Sequence, residues 1–137
     1  IHAGMILGCY VSVKDELDTS EILEFCFANN ISVCVPKVVE NTLQFYKIKS
    51  NHDLVPAPFG LLEPNVTEMI PVQKIDMMIV PLSSYDSKNH RTGYGKGYYD
   101  SVLCNCINKI GIAFQEQEVD QIDVEPHDVT LDEIIVA

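Results

Sequence analysis

This 137-residue sequence has no tryptophan, few positively charged residues and no long apolar run. Nine lysine and arginine residues stand against twenty aspartate and glutamate residues, which gives a formal net charge of −11. A nucleic-acid-binding protein needs a basic patch, and so few dispersed cations do not form one. The longest apolar runs, "MILGCYVSV" and "MMIVPL", are too short to span a bilayer. We therefore expect neither a nucleic-acid partner nor a membrane partner.

The sequence also lacks the marks of secretion and of a zinc site. A signal peptide has a basic stretch followed by a small-residue cleavage pattern, and the first residues of this sequence have neither. The five cysteines are odd in number, and most lie in apolar segments. Cys104 and Cys106 form a C-x-C pair without a second pair or a histidine at ligand spacing. We expect buried free thiols and a reducing, cytoplasmic location.

What the sequence does contain is an alternation of strand-like and helix-like segments. Apolar or alternating runs predict strands, and apolar residues three and four apart predict helices. The predicted strands are 5–13, 31–36, 42–48, 76–82, 109–114 and 134–137, and the predicted helices lie within 14–30 and 96–108. Several strands are apolar throughout, as parallel strands buried on both faces are. This order predicts a single three-layer α/β/α domain over 1–137 with a mostly parallel, Rossmann-like sheet.

Prolines and a capping pattern set the expected limits of these elements. Pro36 is expected to halt the second strand, and four prolines with Gly60 exclude regular structure from most of 54–71. Asp18 stands three residues before Glu21, which predicts a capping box at the start of the first helix. An ordered proline-rich loop in a small domain is often functional.

The segment "HRTGYGKGYYD", residues 90–100, places three glycines at alternate positions beside Lys96 and the chain's one arginine, Arg91. Glycine-rich loops are often plain connections, but glycine N–H groups can also converge on an oxyanion. Lys96 could then reach a terminal phosphate, and Arg91 could clamp it in bidentate fashion. Two common phosphate-binding patterns do not fit. Tyr98 stands where G-x-G-x-x-G requires its third glycine, and Gly97 follows Lys96 where the Walker pattern G-x-x-x-x-G-K-[ST] requires serine or threonine. The segment predicts a phosphate cradle of a different kind.

The stretch "DMMIVPLSSYDSKNHRTGYGKGYYD", residues 76–100, resembles the signature of the 5-formyltetrahydrofolate cyclo-ligase, or methenyltetrahydrofolate synthetase, family. The segments "KDELDT", "LVPAPFGLLEP" and "IGIAFQEQEVDQIDVEPHDVTLDEIIV" resemble further parts of the family in the same order. The resemblance covers nearly the whole chain. Family members usually begin with a basic helix that contacts ATP, whereas here no lysine or arginine precedes Lys14. The domain is therefore expected to lack that helix.

The resemblance implies an ATP- and Mg²⁺-dependent conversion of 5-formyltetrahydrofolate to 5,10-methenyltetrahydrofolate, with release of ADP and phosphate. Phosphorylation of the formyl oxygen would precede ring closure by N10. The partners would be ATP and a folate with or without a polyglutamate tail, on a monomer or weak dimer. One alternative is a catalytically weak folate- or nucleotide-binding module of the same family. Another is a sugar-phosphate or CoA-type enzyme on a similar scaffold, since a fold does not fix a function.

The resemblance also assigns the site residues. Lys96, Arg91 and Tyr98 would be catalytic. The nucleotide would be bound by Arg91, Thr92, Gly93, Tyr94, Gly95, Lys96, Gly97, Tyr98 and Tyr99. The folate would be bound by Val11, Glu16, Phe59, Tyr94, Gly95, Lys96, Gly97 and Tyr98. Magnesium would be held by Asp100 and Asp128, a donor type that it prefers.

Structural roles remain open for several of these positions. Asp100 could start a helix, Asp128 could cap a turn, and Glu16 could be solvated in a loop. The proline-rich loop with Phe59 could be only a rigid connection. We expect Asp86 to be a turn residue rather than a ligand and His127 to be structural. At helical spacing, Tyr99 is expected to pack inward.

Overall fold

The computed structural model describes residues 3–12, 17–58, 61–93, 98–124 and 128–137. The helices of these residues are α1 (Ser20–Ala28) and α2 (Tyr98–Leu103). The strands are β1 (Ile6–Cys9), β2 (Ser32–Val39), β3 (Thr42–Ile48), β4 (Leu54–Pro56), β5 (Leu62–Pro64), β6 (Met69–Ile70), β7 (Met77–Val80), β8 (Ser84–Tyr85), β9 (Arg91–Thr92), β10 (Lys109–Ala113) and β11 (Glu133–Val136).

Seven strands form one sheet in the order β11-β10-β7-β1-β2-β3-β6. The pairs β1–β2, β1–β7, β7–β10 and β10–β11 are parallel, whereas β2–β3 and β3–β6 are antiparallel. The central strands are buried on both faces, as their continuous apolar sequences predict. The predicted α/β class with a mostly parallel sheet is therefore confirmed.

The two helices pack on opposite faces of the sheet. Leu23 and Cys26 of α1 lie in a cluster with the side chains of one face, including Leu7 and Val33. Leu103 of α2 lies in a second cluster with the other face, formed by Cys34, Phe45, Met78, Val80 and Ala113. Met78 pairs with Gly8, the neighbour of Leu7 in β1, and successive residues of a strand face opposite sides, so Leu7 and Met78 occupy different layers. The three-layer arrangement that the sequence predicts is therefore confirmed.

Two predictions drawn from proline were wrong. Strand β2 continues through Pro36, which is opposite Phe45 of β3, and ends at Val39. The reason is that β1 pairs only with Ser32–Cys34 of β2 in the described part, so no strand of that part pairs with the other edge of β2 beyond Cys34. Proline is tolerated at such an edge. Within the proline-rich segment, β4 and β5 pair as an antiparallel hairpin between Leu54 and Pro64.

The sheet has a topological switch point between β1 and β7. From β1 the chain passes through α1 to β2 on one side, whereas from β7 it passes through α2 to β10 on the other. The connections leaving adjacent strands in opposite directions open a crevice at the carboxyl ends of β1 and β7. The segments that follow these two strands are therefore placed together at one edge of the sheet. None of the described helices is long and apolar enough to cross a membrane.

Candidate active site

The end of β1 is joined to the start of α1 by hydrogen bonds around Thr19. Its Oγ1 donates to Tyr10 O at 2.9 Å and accepts from the N–H of Ser12 at 3.3 Å. The Tyr10 hydroxyl donates to Leu17 O at 2.9 Å. Thr19 itself is buried, with 1% of its surface exposed. These bonds hold the two ends of the connection between β1 and α1 close together.

The predicted capping box at α1 was wrong. Thr19 is the N-cap residue, but its hydroxyl is used by Tyr10 and Ser12 and makes no bond to the helix. Asp18 instead accepts the N–H of Ser20 at 2.9 Å. That bond, together with the hydroxyls of Ser20 and Ser12, holds the pKa of Asp18 below its ordinary value although the side chain is exposed. The N-cap side chain thus positions the preceding loop rather than the helix.

After β7 the chain forms the β8–β9 hairpin, which leads into the glycine segment. Thr92 Oγ1 lies 2.7 Å from Ser83 Oγ and 2.6 Å from Ser84 Oγ. The Ser83 hydroxyl also lies within hydrogen-bond distance of the carbonyls of Thr92 and Gly93, at 3.2 and 3.1 Å. Hydroxyls from both arms of the hairpin therefore fix the backbone where the glycine segment begins.

Arg91 connects the end of β7 to α2. Its Nη1 donates to Pro81 O at 3.1 Å, its Nη2 lies 3.8 Å from Asp100 Oδ1, and its guanidinium carbon is 5.6 Å from the Tyr99 ring centroid. The side chain is only 4% exposed. A Cβ atom at Gly93 would lie 2.7 Å from Nη1, so the residue there must be glycine unless the guanidinium moves. The geometry brings Arg91, Gly93, Tyr99 and Asp100 into one cluster.

Asp86 is a buried carboxylate at the turn of the hairpin, with 3% of its surface exposed. Oδ1 accepts the N–H groups of Lys88 and His90, both at 3.0 Å. Oδ2 lies 3.0 Å from His90 Nδ1 and accepts the N–H of Ile122 at 3.1 Å. Burial alone would raise the pKa of Asp86, but these hydrogen bonds outweigh it and hold the pKa below its ordinary value.

The connector between β10 and β11 is attached to the same hairpin. The N–H of Val119 donates to Tyr85 O at 2.8 Å, and the N–H of Leu131 donates to Asn89 O at 3.0 Å. Gln117 Nε2 donates to Leu82 O at 3.0 Å, which ties the start of the connector to the end of β7. Asp128 lies in this connector. The segments after β7 and β10 thus meet at the carboxyl edge of the sheet.

The sequence pattern of a known family matches residues 2–137, which is nearly the whole chain, and it is described as the 5-formyltetrahydrofolate cyclo-ligase family. The chain belongs to this family. The 5-formyltetrahydrofolate cyclo-ligase of Haemophilus influenzae is 30% identical over 139 residues, which cover 95% of this chain and 74% of the relative. The mouse protein of that name is 25% identical, over 94% of this chain and 71% of its own length.

Solved structures of cyclo-ligase relatives have the same fold. The NMR structure of 5,10-methenyltetrahydrofolate synthetase from Aquifex aeolicus superposes with a TM-score of 0.84 at 26% identity, covering 96% of this chain and 68% of that one. The synthetase from Mycoplasma pneumoniae gives a TM-score of 0.74 at 30% identity, covering 95% of this chain and 71% of that one. The family predicted from the glycine segment is confirmed.

The site residues that the family resemblance implies divide into those outside the described residues and those within them. Glu16, Phe59, Tyr94, Gly95, Lys96 and Gly97 lie outside the described residues, and so does His127. Arg91, Gly93, Tyr99 and Asp100 form the cluster described above, and Thr92 lies in the neighbouring hydroxyl cluster. Val11, at the end of β1, packs on the same apolar cluster as Tyr99. Asp128 is half-buried in the connector.

Two of the structural expectations agree with the coordinates. Asp86 is a turn residue, and both of its oxygens are occupied by protein donors rather than left open for a ligand. Tyr99 packs inward, against both apolar clusters and edge-on to Phe45 at 6.5 Å between ring centroids. Tyr98 also contacts the second cluster, so the inward position does not belong to Tyr99 alone.

Sequence reasoning missed the residues that hold the site loops in place. Thr19 resembles an ordinary helix cap in sequence, and its true partners, Tyr10 and Ser12, are known only from the fold. Ser83, Ser84 and Gln117 carried no motif of their own. A signal was available for the serines, since polar residues directly after a buried parallel strand often face a site.

The carboxylates that the cyclo-ligase family implies for magnesium have suitable chemistry. The Asp100 side chain is 24% exposed, so part of it can face a ligand, although Arg91 lies 3.8 Å from Oδ1. Within the described ranges, no group of three or more histidine, cysteine or acidic side chains could hold a metal by itself. Magnesium commonly takes one or two carboxylates and completes its shell with water and phosphate oxygens. The residues therefore fit a magnesium ion that arrives with a nucleotide.

Proposed function

We propose that this protein converts 5-formyltetrahydrofolate and ATP to 5,10-methenyltetrahydrofolate, ADP and phosphate, with magnesium, as a single cyclo-ligase domain over 1–137. The observation that carries the proposal is the topological switch point between β1 and β7 in a chain of this family. Val11 and Glu16, implied for the folate, follow β1, and the glycine segment, implied for the nucleotide and for part of the folate, follows β7. Adjacent segments suit a reaction between two bound substrates.

The chemistry explains why both substrates must meet. A formamide carbonyl is a poor electrophile because its nitrogen donates electrons into it. Transfer of the γ-phosphoryl group to the formyl oxygen, breaking the bond to ADP, makes that oxygen a leaving group. N10 then attacks the formyl carbon, the C–O bond breaks with release of phosphate, and N10 loses its proton. The protein contributes mainly position and charge neutralisation.

In this proposal the cluster around Arg91 prepares the nucleotide end. Arg91 is held by Pro81 O and the Tyr99 ring, so its charge is fixed in place before substrate binds. Tyr98 and Tyr99, which belong to the glycine segment, are the first residues of α2. Asp100 and Asp128 would hold magnesium, which when bound neutralises phosphate charge. Lys96 would stabilise the transferring phosphoryl group.

At the folate end, Val11 would line the pocket and Glu16 would hold the pteridine ring. The bonds around Thr19 support this assignment, because they join the residues on either side of the segment that contains Glu16. Phe59 would cover the substrate from the proline-rich loop, and the strands on either side of it, β4 and β5, pair with each other.

The test is a turnover assay that follows the absorbance of the methenyl product with purified protein. We expect product formation only when 5-formyltetrahydrofolate, ATP and magnesium are all present, with one ADP formed for each product. Removal of magnesium with EDTA should stop the reaction, and its return should restore it. Binding of folate without turnover would refute the enzyme and favour a binding module; no folate binding would refute both.

A further inference from the structure

A loop of the β10–β11 connector begins and ends on one turn of the β8–β9 hairpin. The N–H of Ile122 donates to Asp86 Oδ2 at 3.1 Å, and the N–H of Leu131 donates to Asn89 O at 3.0 Å. Asp128, the second carboxylate proposed for magnesium, lies between these anchors in the chain. The position of Asp128 therefore depends on the geometry of that turn.

Asp86 controls both anchors. It binds Ile122 directly, and its Oδ1 accepts the N–H groups of Lys88 and His90 on either side of Asn89. Asn89 has a left-handed backbone with φ of 63°, and its N–H donates to Asp86 O at 3.1 Å. Asparagine is among the residues that adopt this conformation most readily. Asp86 thus orients the Asn89 carbonyl that receives Leu131.

We propose that Asp86 is a positioning residue for the metal–nucleotide end of the site, which holds Asp128 in place through Ile122 and the Asn89 turn. Both carboxylate oxygens of Asp86 are engaged by protein donors, so it acts through its neighbours and does not contact the metal. This inference rests on the proposed function only in taking Asp128 as a magnesium ligand. Changes behind a metal ligand commonly weaken metal binding by roughly 10- to 100-fold.

Asp86→Asn separates this role from general support of the hairpin. The amide has the shape of the carboxylate, and its oxygen can still accept from Lys88 and His90. Its NH₂ group, however, cannot accept the N–H of Ile122, so that anchor is lost. His90→Ala is the matched control, because it removes the ring contact at 3.0 Å but leaves the carboxylate bound to Ile122. Asp128→Asn gives the reference for loss of the ligand itself.

The primary measurement is binding of Mn²⁺ in the presence of ADP, followed by electron paramagnetic resonance, with Mn²⁺ as the magnetic substitute for magnesium. We expect Asp86→Asn to weaken Mn²⁺ binding roughly tenfold, as loss of a support behind a ligand does. His90→Ala should bind as the wild type does. Hydrogen exchange at Ile122 should become faster in Asp86→Asn only. In the turnover assay, the magnesium requirement should rise while the KM for folate stays constant.

The proposal is overturned if Asp86→Asn exposes Ile122 to exchange but binds Mn²⁺ as the wild type does. It is also overturned if His90→Ala weakens binding equally, since support of the whole hairpin would then be the cause. Wild-type protein that binds no Mn²⁺ with ADP would refute it as well. Wild-type protein that binds Mn²⁺ with ADP but forms no product would refute the proposed reaction alone, and the Asp86 comparison would still decide this inference.

Discussion

The two segments that meet at the crevice are held by different kinds of interaction. The buried Thr19 and its partner Tyr10 fix the end of β1 through uncharged groups, namely their hydroxyls and backbone partners, while the charged Asp18 beside them is exposed. The end of β7 is fixed by hydroxyls and, in addition, by charged or titratable groups, namely Asp86 with His90 and Arg91 with Asp100. Thr19 and Asp86 are both buried polar residues, and one lies at each segment. Each side of the switch point thus has a buried polar residue that orients a loop.

The difference between the segments matches the chemistry proposed for them. The reacting group of the folate is a neutral formamide, and uncharged hydrogen bonds can position its loop without a strong local field. The nucleotide carries several negative charges and a divalent cation, and the whole protein has a net charge of −11. Cations must therefore be fixed locally beside the phosphates, against an unfavourable overall field. Changes at the two segments should accordingly affect different kinetic constants.

The largest expected effect is at the nucleotide end, for Lys96→Ala. If Lys96 neutralises charge that develops during phosphoryl transfer, kcat should fall by roughly 100-fold or more, as loss of such a group typically does. Lys88→Ala is the matched control, because Lys88 is exposed and its only described bond, to Asp86, is made by its backbone N–H. Single-turnover measurement of product absorbance would check the chemical step. A kcat for Lys96→Ala equal to that of Lys88→Ala would remove Lys96 from catalysis.

The fold was largely predictable because local pattern and global position agree in its central strands. Strand β3 has the bounds that alternation in "TLQFYKI" predicts, and β10 lies within the predicted 109–114. The prediction that β2 ends at Pro36 was wrong because a strand tolerates proline where one of its edges lacks a neighbouring strand. Which edge of β2 lacks one follows from the topology rather than from the sequence. The β4–β5 hairpin was missed for a similar reason, since its pairing crosses the irregular part of the proline-rich segment.

The site was predictable only where residues form a motif. The glycine segment, which includes Arg91 and Asp100, indicated a nucleotide site, and the structure brings these two side chains together. The residues that orient the loops have no such signature. Thr19 binds Tyr10, nine residues earlier, and Asp86 binds Ile122 in a different connector, so both roles arise from the way the strands are ordered.

At the folate end, Thr19→Val should raise the KM for 5-formyltetrahydrofolate. Valine has nearly the shape of threonine but lacks the hydroxyl, so the buried bond to Tyr10 O and the bond from the Ser12 N–H are lost. Such a loss costs about 1–3 kcal/mol, and if roughly half of it falls on loop position the KM rises roughly two- to tenfold. Thr19→Ser keeps the hydroxyl and is the control. Initial rates with each substrate varied in turn would check this; an equal rise in the KM for ATP would contradict the division between the two segments.

The smallest effect separates the segments by pH. The pKa of Asp86 is lower in the folded protein than its ordinary value, so its contribution to stability is present above the ordinary pKa and is lost as pH falls through the folded value. The cost of Asp86→Asn, about 1–3 kcal/mol at neutral pH from lost buried hydrogen bonds, should therefore shrink below roughly pH 4. The cost of Thr19→Val should not change, because a hydroxyl does not titrate there. Urea unfolding of both variants and the wild type across this range would measure both. If the free-energy cost of Asp86→Asn stays constant across this pH range, the charge of Asp86 does not stabilise the β7 segment.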